Sequence, residues 1–486
     1  MAHAWWTNTE EGIPGNKLII KVNDKNYVPY DLGQSMLMLP GDWLGTQLGQ
    51  NLSSEKERQQ FIEAVISFGI FLPINLLAVL ACFRLLQLFG YSEKVSGLSS
   101  IIWLLGTTVL FYTTFHQQNN QILLFVLIAY ETALAYVIKS KKRWAILSGI
   151  ALGIAFLIRI ISILYAISVV VFLVGCIAYK YKSKSVSKSF KSLFLWMTGF
   201  IPFVLLERIL TRIRYGSWTA TSTSLHLQIF AKETLSNANE IVQIDNNSFF
   251  LDLLTKVKPE ALLAPLFSPE KSIFLYDPLV LPCLIILFIC WGFLSPYIKW
   301  YVVVAILSFL LHLYIYSWTS DWIKHGSWGA RYHITSVHLL LIPLIPLLIQ
   351  GATKKINQNT DFLKAAFSWI ARVIIILAML IQFSSITLSP NLEVIQQELG
   401  VGSRFRLIQR FNNIFYLLNY DQNPNIQISK AQEQWPHKIT WDLLPFNLKT
   451  KLNTNSSLNK FVPILFIVWG VIFIAAVTTT VWIFIE

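Results

Sequence analysis

Apolar runs long enough to cross a bilayer recur along most of this chain. They lie at about residues 61–90, 97–115, 120–138, 145–158, 162–179, 192–211, 277–296, 300–317, 334–351, 366–388 and 461–485. A hydrocarbon core of about 30 Å takes about 20 helical residues to cross. Backbone polar groups in lipid must also be satisfied within the segment, which favours helices. The runs therefore predict an all-α polytopic transmembrane helical bundle of about eleven spans with external loops. Composition excludes a soluble class: 54% of the 486 residues are hydrophobic and 13% charged, against about a quarter charged in a soluble domain.

The net charge is +13, but its distribution does not point to nucleic acid. Lys139, Lys141, Lys142 and Arg143, then Lys180, Lys182, Lys184, Lys188 and Lys191, then Lys354, Lys355 and Lys364 cluster in short loops between spans. Such loops mark the cytoplasmic side, and eleven spans put all three clusters there. The expected partner is the lipid bilayer. Residues 1–60 then form an external N-terminal region, 61–351 a transmembrane core with an external loop at 212–276, 352–388 a cytoplasmic loop and span, 389–460 a second large external loop and 461–486 a C-terminal span. An external first segment with neither a signal peptide nor a preceding span predicts a twelfth helix upstream of Met1, the sequence then being a truncated form. The run 145–179 is too long for one straight crossing and carries Arg159 near its middle, so it reads as two short helices meeting at a membrane surface.

Cys82, Cys176, Cys283 and Cys290 all lie in apolar spans without metal-ligand spacing and read as small buried hydrophobes. No metal ligands are assigned. Arg159 ends the helix Gly149–Arg159, whose Gly149 and Gly153 permit close packing; it reads either as a phosphate ligand or as an interfacial arginine reaching towards headgroups. Glu131 is the deep carboxylate, structural or catalytic. The densest polar cluster, Trp318 to His333, brings Asp321, His325, Arg331 and Tyr332 between two spans. Glycines beside a guanidinium suit an anionic headgroup, because they allow close approach and the guanidinium fork matches phosphate oxygens. Tyr27–Gly45, with Asp31 and Asp42, reads as an amphipathic stretch on the membrane that packs the external loop.

Four stretches, in order, resemble the GT-C glycosyltransferases, specifically the bacterial polyprenyl-phosphate-sugar-dependent group related to protein mannosyl- and arabinosyltransferases. They are Tyr30–Pro40, Gly149–Arg159, Leu263–Pro269 with Phe274–Pro278, and Gly326–Tyr332. The resemblance implies a bacterial inner-membrane enzyme of the cell envelope. It would move a sugar from a polyprenyl-phosphate-linked donor to an acceptor at the outer face, by displacement at the anomeric carbon. Such chemistry needs a carboxylate to deprotonate the acceptor, and cations, from a divalent metal ion or from side chains, to hold the departing phosphate. By matching motifs, Arg331 and Arg159 are the expected lipid-phosphate ligands, with Tyr332 lining their site and Asp321 and His325 as weaker polar candidates. The family's first-loop acid finds no counterpart in Glu10-Glu11, so no catalytic base is assigned. The competing readings are a lipid-linked saccharide flippase or other transporter, which would usually show internal repeats, and a non-catalytic homologue.

Overall fold

The computed structural model describes residues 2–7, 20–22, 25–28, 30–52, 54–182, 185–222, 224–225, 259–317, 327–352, 362–389, 391–398, 400, 403–420, 441–442 and scattered positions between 463 and 478. It is a helical bundle, with one small antiparallel hairpin, β1 (Ile20–Val22) and β2 (Lys25–Tyr27). Among the described residues six helices are long and apolar enough to span a membrane: Glu55–Leu88, Gln118–Lys139, Ile160–Tyr181, Val186–Tyr215, Pro296–Tyr316 and Ala365–Thr387. The pair Ile334–Leu341 and Ile345–Gly351, bent by 44°, makes seven if it counts as one span.

The expected count of eleven is therefore not reproduced. The run 97–115 is two short helices broken at Gly106–Thr108. The run 277–296 holds only the helix Val280–Cys290 and a short turn after it. Most of 461–485 lies outside the described residues, as do Glu10, Glu11, residues 226–258 and residues 318–326 with Asp321 and His325. The chain divides into two compact units, Met1–Phe89 with Phe115–Lys256 and Ser295–Leu311, and Gly90–Thr114 with Val257–Leu294 and His312–Glu486.

In the first unit the N-terminal helix α1 (Ala2–Thr7) is tied to α2 (Gly33–Leu48) through the buried Asp42, which accepts a 2.7 Å bond from Trp6 Nε1 and meets His3 Nδ1 at 3.2 Å. Helix α2 packs along α3 (Glu55–Ile66), and a Cβ on Gly45 would lie 2.9 Å from the Ile62 backbone. A π-helical turn at Ser67–Phe71 joins α3 to α4 (Leu72–Leu88). There Ser67 Oγ meets His116 Nε2 at 2.7 Å, and the His116 ring stacks on Phe71. An extra residue in a helical turn leaves backbone groups in need of side-chain partners, and Ser67 Oγ donates to Glu63 O at 2.7 Å.

Helices α7 (Gln118–Lys139), α8 (Lys142–Ile158), α9 (Ile163–Tyr181) and α10 (Ser185–Tyr215) form the body of this unit. The α8–α10 crossing is a small-residue contact of the kind that holds helices together where lipid removes the usual hydrophobic drive. Gly149 faces the Trp196 carbonyl, Gly199 faces the Ile146 carbonyl, and a Cβ on Gly153 would meet Phe203 at 2.5 Å. Tyr130, Phe172, Phe89 and Tyr301 form a buried aromatic cluster with centroid spacings of 4.8–5.8 Å.

In the second unit, Asp277 closes the break between α5 (Glu93–Leu105) and α6 (Val109–Thr113). Its carboxylate accepts from Thr108 N at 2.6 Å and Thr108 Oγ1 at 2.8 Å, and Thr108 Oγ1 meets His338 Nε2 at 3.0 Å. The end of the helix Phe362–Thr387 is tied to the helix Arg406–Tyr420 by Arg410, whose guanidinium donates to Leu388 O at 2.8 Å, Ser389 O at 3.1 Å and Glu393 Oε2 at 2.7 Å.

Two stability predictions follow from these contacts. Gly149→Val forces a side chain into the Trp196 backbone and should cost at least the ~1–3 kcal/mol of ordinary overpacking; Gly97→Ala, where nothing lies within 4 Å, should not destabilise. Arg410→Ala strands a buried carboxylate and should cost about 3–5 kcal/mol. Thermal unfolding of the detergent-solubilised chain measures all three.

Candidate functional site

In the first unit, a polar site forms where α8 stops. Arg159 is extended (φ −159°, ψ 121°), so Ile160 N has left the α8 ladder, and it donates to Asp31 Oδ2 at 3.2 Å. The chain is brought to this point by Arg214 at the end of α10. Its buried guanidinium donates to Tyr30 O at 3.0 Å and Val28 O at 2.8 Å, while Tyr215 OH donates to Val28 O at 2.9 Å. Gly33 then lies directly against the Leu157–Ile158 backbone, where no Cβ could fit. These contacts hold Asp31 beside the helix break and leave it little freedom.

Tyr30, Asp31, Leu157, Glu207, Thr211, Arg214 and Ser222 are among the residues lining a cavity of about 10 Å³, the room of roughly one water. Burial pushes the Asp31 carboxyl up to about 6, against the Ser222 and Ile160 hydrogen bonds and the Arg159 charge, with Glu207 adding to the rise. Glu207, itself buried on α10, accepts from Thr211 Oγ1 at 2.8 Å and pairs with Arg208. The site thus offers a carboxyl that titrates near neutral pH, a second carboxylate, and the cations Arg159 and Arg214. Among the described residues no group of three His, Cys, Asp or Glu side chains is placed to hold a metal ion; Asp31 and Glu207 are a pair.

In the second unit, Arg331 and Tyr332 lie in the turn that leads into the helix Ile334–Leu341. Gly329 has φ +68°, and a Cβ there would come within 3.2 Å of Tyr276. That left-handed residue turns the chain so that Arg331 N bonds Gly329 O at 3.1 Å and His333 N bonds Ala330 O at 2.9 Å. Trp328 is buried edge-to-face against Tyr276 (centroids 4.9 Å), with the Arg410 guanidinium 5.3 Å from its ring, and Tyr112 OH donates to its carbonyl at 3.1 Å. Tyr332 stacks on Tyr316 at 4.6 Å.

Beneath the turn, Lys271 is fully buried, its Nζ donating to Ser327 O at 2.6 Å and Ser327 Oγ at 2.8 Å. Burial holds its ammonium well below the usual lysine range, and the charges of Arg406 and Arg331 push it the same way. Arg331 and Arg406 thus place positive charge close to Lys271.

The structure places Arg159 beside Asp31, Arg331 near Lys271 and Tyr332 against Tyr316, while Asp321 and His325 lie outside the described residues. Glu131 is buried on α7 and does not line the Asp31 cavity. The sequence does not single out Glu207 or Lys271, which burial and neighbouring charges bring to notice. Asp31 lies in the first of the four resembling stretches, which is the signal that points to it.

No curated protein and no solved structure matches the chain. Residues 62–206, from α3 through α8 and Arg159 into α10, match the family model for dolichyl-phosphate-mannose-protein mannosyltransferase. Together with the multi-pass helical bundle, that match supports a GT-C superfamily glycosyltransferase, the family that the sequence motifs resemble.

Proposed function

We propose that this chain moves a sugar from a polyprenyl-phosphate donor to an acceptor at the outer face of the membrane, with Asp31 as the base. The observation that carries the reading is the buried Asp31 carboxyl, held by Ile160 N beside Arg159 at the break after α8, where burial pushes it up to about 6. A general base works best with a pKa near the operating pH. Asp31 takes the proton of the acceptor hydroxyl, the acceptor oxygen forms a bond to the anomeric carbon, and the bond from that carbon to the donor phosphate breaks. The electron pair leaves with the lipid phosphate. Cations stabilise that departing charge, and Arg159, beside Asp31, is the proposed lipid-phosphate ligand. The family match over residues 62–206 supports the donor class.

Transfer from radiolabelled polyprenyl-phosphate sugars, measured with the chain in membranes, tests this. Asp31→Asn should lower kcat about a hundred- to ten-thousand-fold, and Arg159→Ala should raise the donor KM. In the wild type kcat/KM should fall about tenfold per pH unit below about pH 6, as Asp31 takes up its proton. The stability effect runs the other way. A carboxyl raised above its unfolded value stabilises the fold least at high pH, so Asp31→Asn should be no less stable than the wild type at pH 7.5. Transbilayer movement of lipid-linked saccharide without any transfer would instead favour the transporter reading.

A further inference from the structure

The helix Arg406–Tyr420 faces the protein with its polar side. Arg406, Arg410 and Asn413 are buried, while Ile408, Phe415 and Leu418 are 53%, 59% and 54% exposed, with Asn412 and Asn419 exposed along one edge of that side. The buried polar groups are bonded within the second unit. Arg410 pairs with Glu393 at 2.7 Å, Asn413 Nδ2 donates to Glu393 Oε1 at 3.3 Å and Gln396 Oε1 at 3.0 Å, and Arg406 Nε donates to Gln397 Oε1 at 3.0 Å. A water-soluble surface helix shows the opposite arrangement, with its apolar stripe turned to the core.

We propose that the outward side of this helix is embedded in the lipid bilayer, with the helix lying in the plane of the interface. Its depth is set by its anchor. Arg410 donates to Leu388 O and Ser389 O, immediately beyond Thr387, where the membrane-crossing helix Ala365–Thr387 ends. The end of a span lies at the boundary of the hydrocarbon core, so the anchored helix lies at that level too. The crossing helix carries its own outward row, Ile370, Val373, Leu377 and Leu380, each at least 50% exposed. Ile408, Phe415 and Leu418 extend that lipid-facing surface along the interface, and the exposed Arg404 just before the helix suits headgroup phosphates. A lipid surface is therefore the occupant that fits, rather than water.

Nitroxide labels at Ile408→Cys, Phe415→Cys and Leu418→Cys, each in the full chain in a Cys290→Ala background and in phosphatidylcholine–phosphatidylglycerol vesicles, test this. These side chains are exposed, and an unchanged thermal midpoint will certify each fold. Collisions with dissolved oxygen should exceed those with a water-soluble nickel chelate several-fold at all three sites, and Arg404→Cys should show the reverse. Free collision with the nickel chelate at 408 and 415 would overturn the proposal by showing a water-facing helix. Protection from both reagents would overturn it equally, by showing that residues 421–440 or a second copy of the chain covers the face.

Discussion

A broken helix in a membrane protein leaves amides that neither lipid nor a distant water can satisfy, and the candidate active site depends on how one such break is resolved. After Ile158 the chain extends through Arg159, and the next free amide, Ile160 N, is taken by the Asp31 carboxylate. One contact thereby does two things. It satisfies a backbone donor beside the small-residue crossing of α8 and α10, and it brings a carboxyl from the N-terminal segment into surroundings whose poor solvation pushes it up to about 6.

Holding Asp31 at the break requires the strand that carries it to be fixed independently. Arg214 does this through carbonyls, because a guanidinium with its five donors in a rigid fork can hold two backbone oxygens at once. Its bonds to Val28 O and Tyr30 O fix the chain just before Asp31, and Gly33 seals the other side by lying directly on the α8 backbone. Asp31 is thus set by two constraints that do not involve its own side chain. The carboxyl is left to titrate and to accept from Ile160 rather than to carry the fold.

The sequence made the bundle legible and its interruptions only partly so. Long apolar runs such as those in 118–139, 186–215 and 365–387 became single helices, the second of them through Pro202. The division at Arg159 was also legible, from length and from a charge in mid-run. The break at 106–108 was not, because the residues that stabilise it are remote in sequence: Asp277 receives Thr108 N, and His338 meets Thr108 Oγ1. Hydropathy counts apolar residues and is blind to a carboxylate 169 positions away that makes a break affordable. Asp31 was hidden for the same reason. Its short polar surroundings, Tyr30 and Gly33, look like a surface loop until Arg214 and the end of α8 are placed around them.

The buried charges of the second unit divide by how they are balanced. Arg410 and Glu393 neutralise one another at 2.7 Å with Asn413 completing the set. Such a pair is weak evidence of stabilisation by itself, since two apolar residues could replace it, yet losing one partner is costly. Lys271 is different. Its Nζ donates to both oxygens of Ser327, and the charges of Arg406 and Arg331 oppose its own while Glu270 favours it. Cations crowded in a poorly solvated place relax either by losing a proton or by gaining an anion. Lys271 is the group that can lose one, because guanidinium does not.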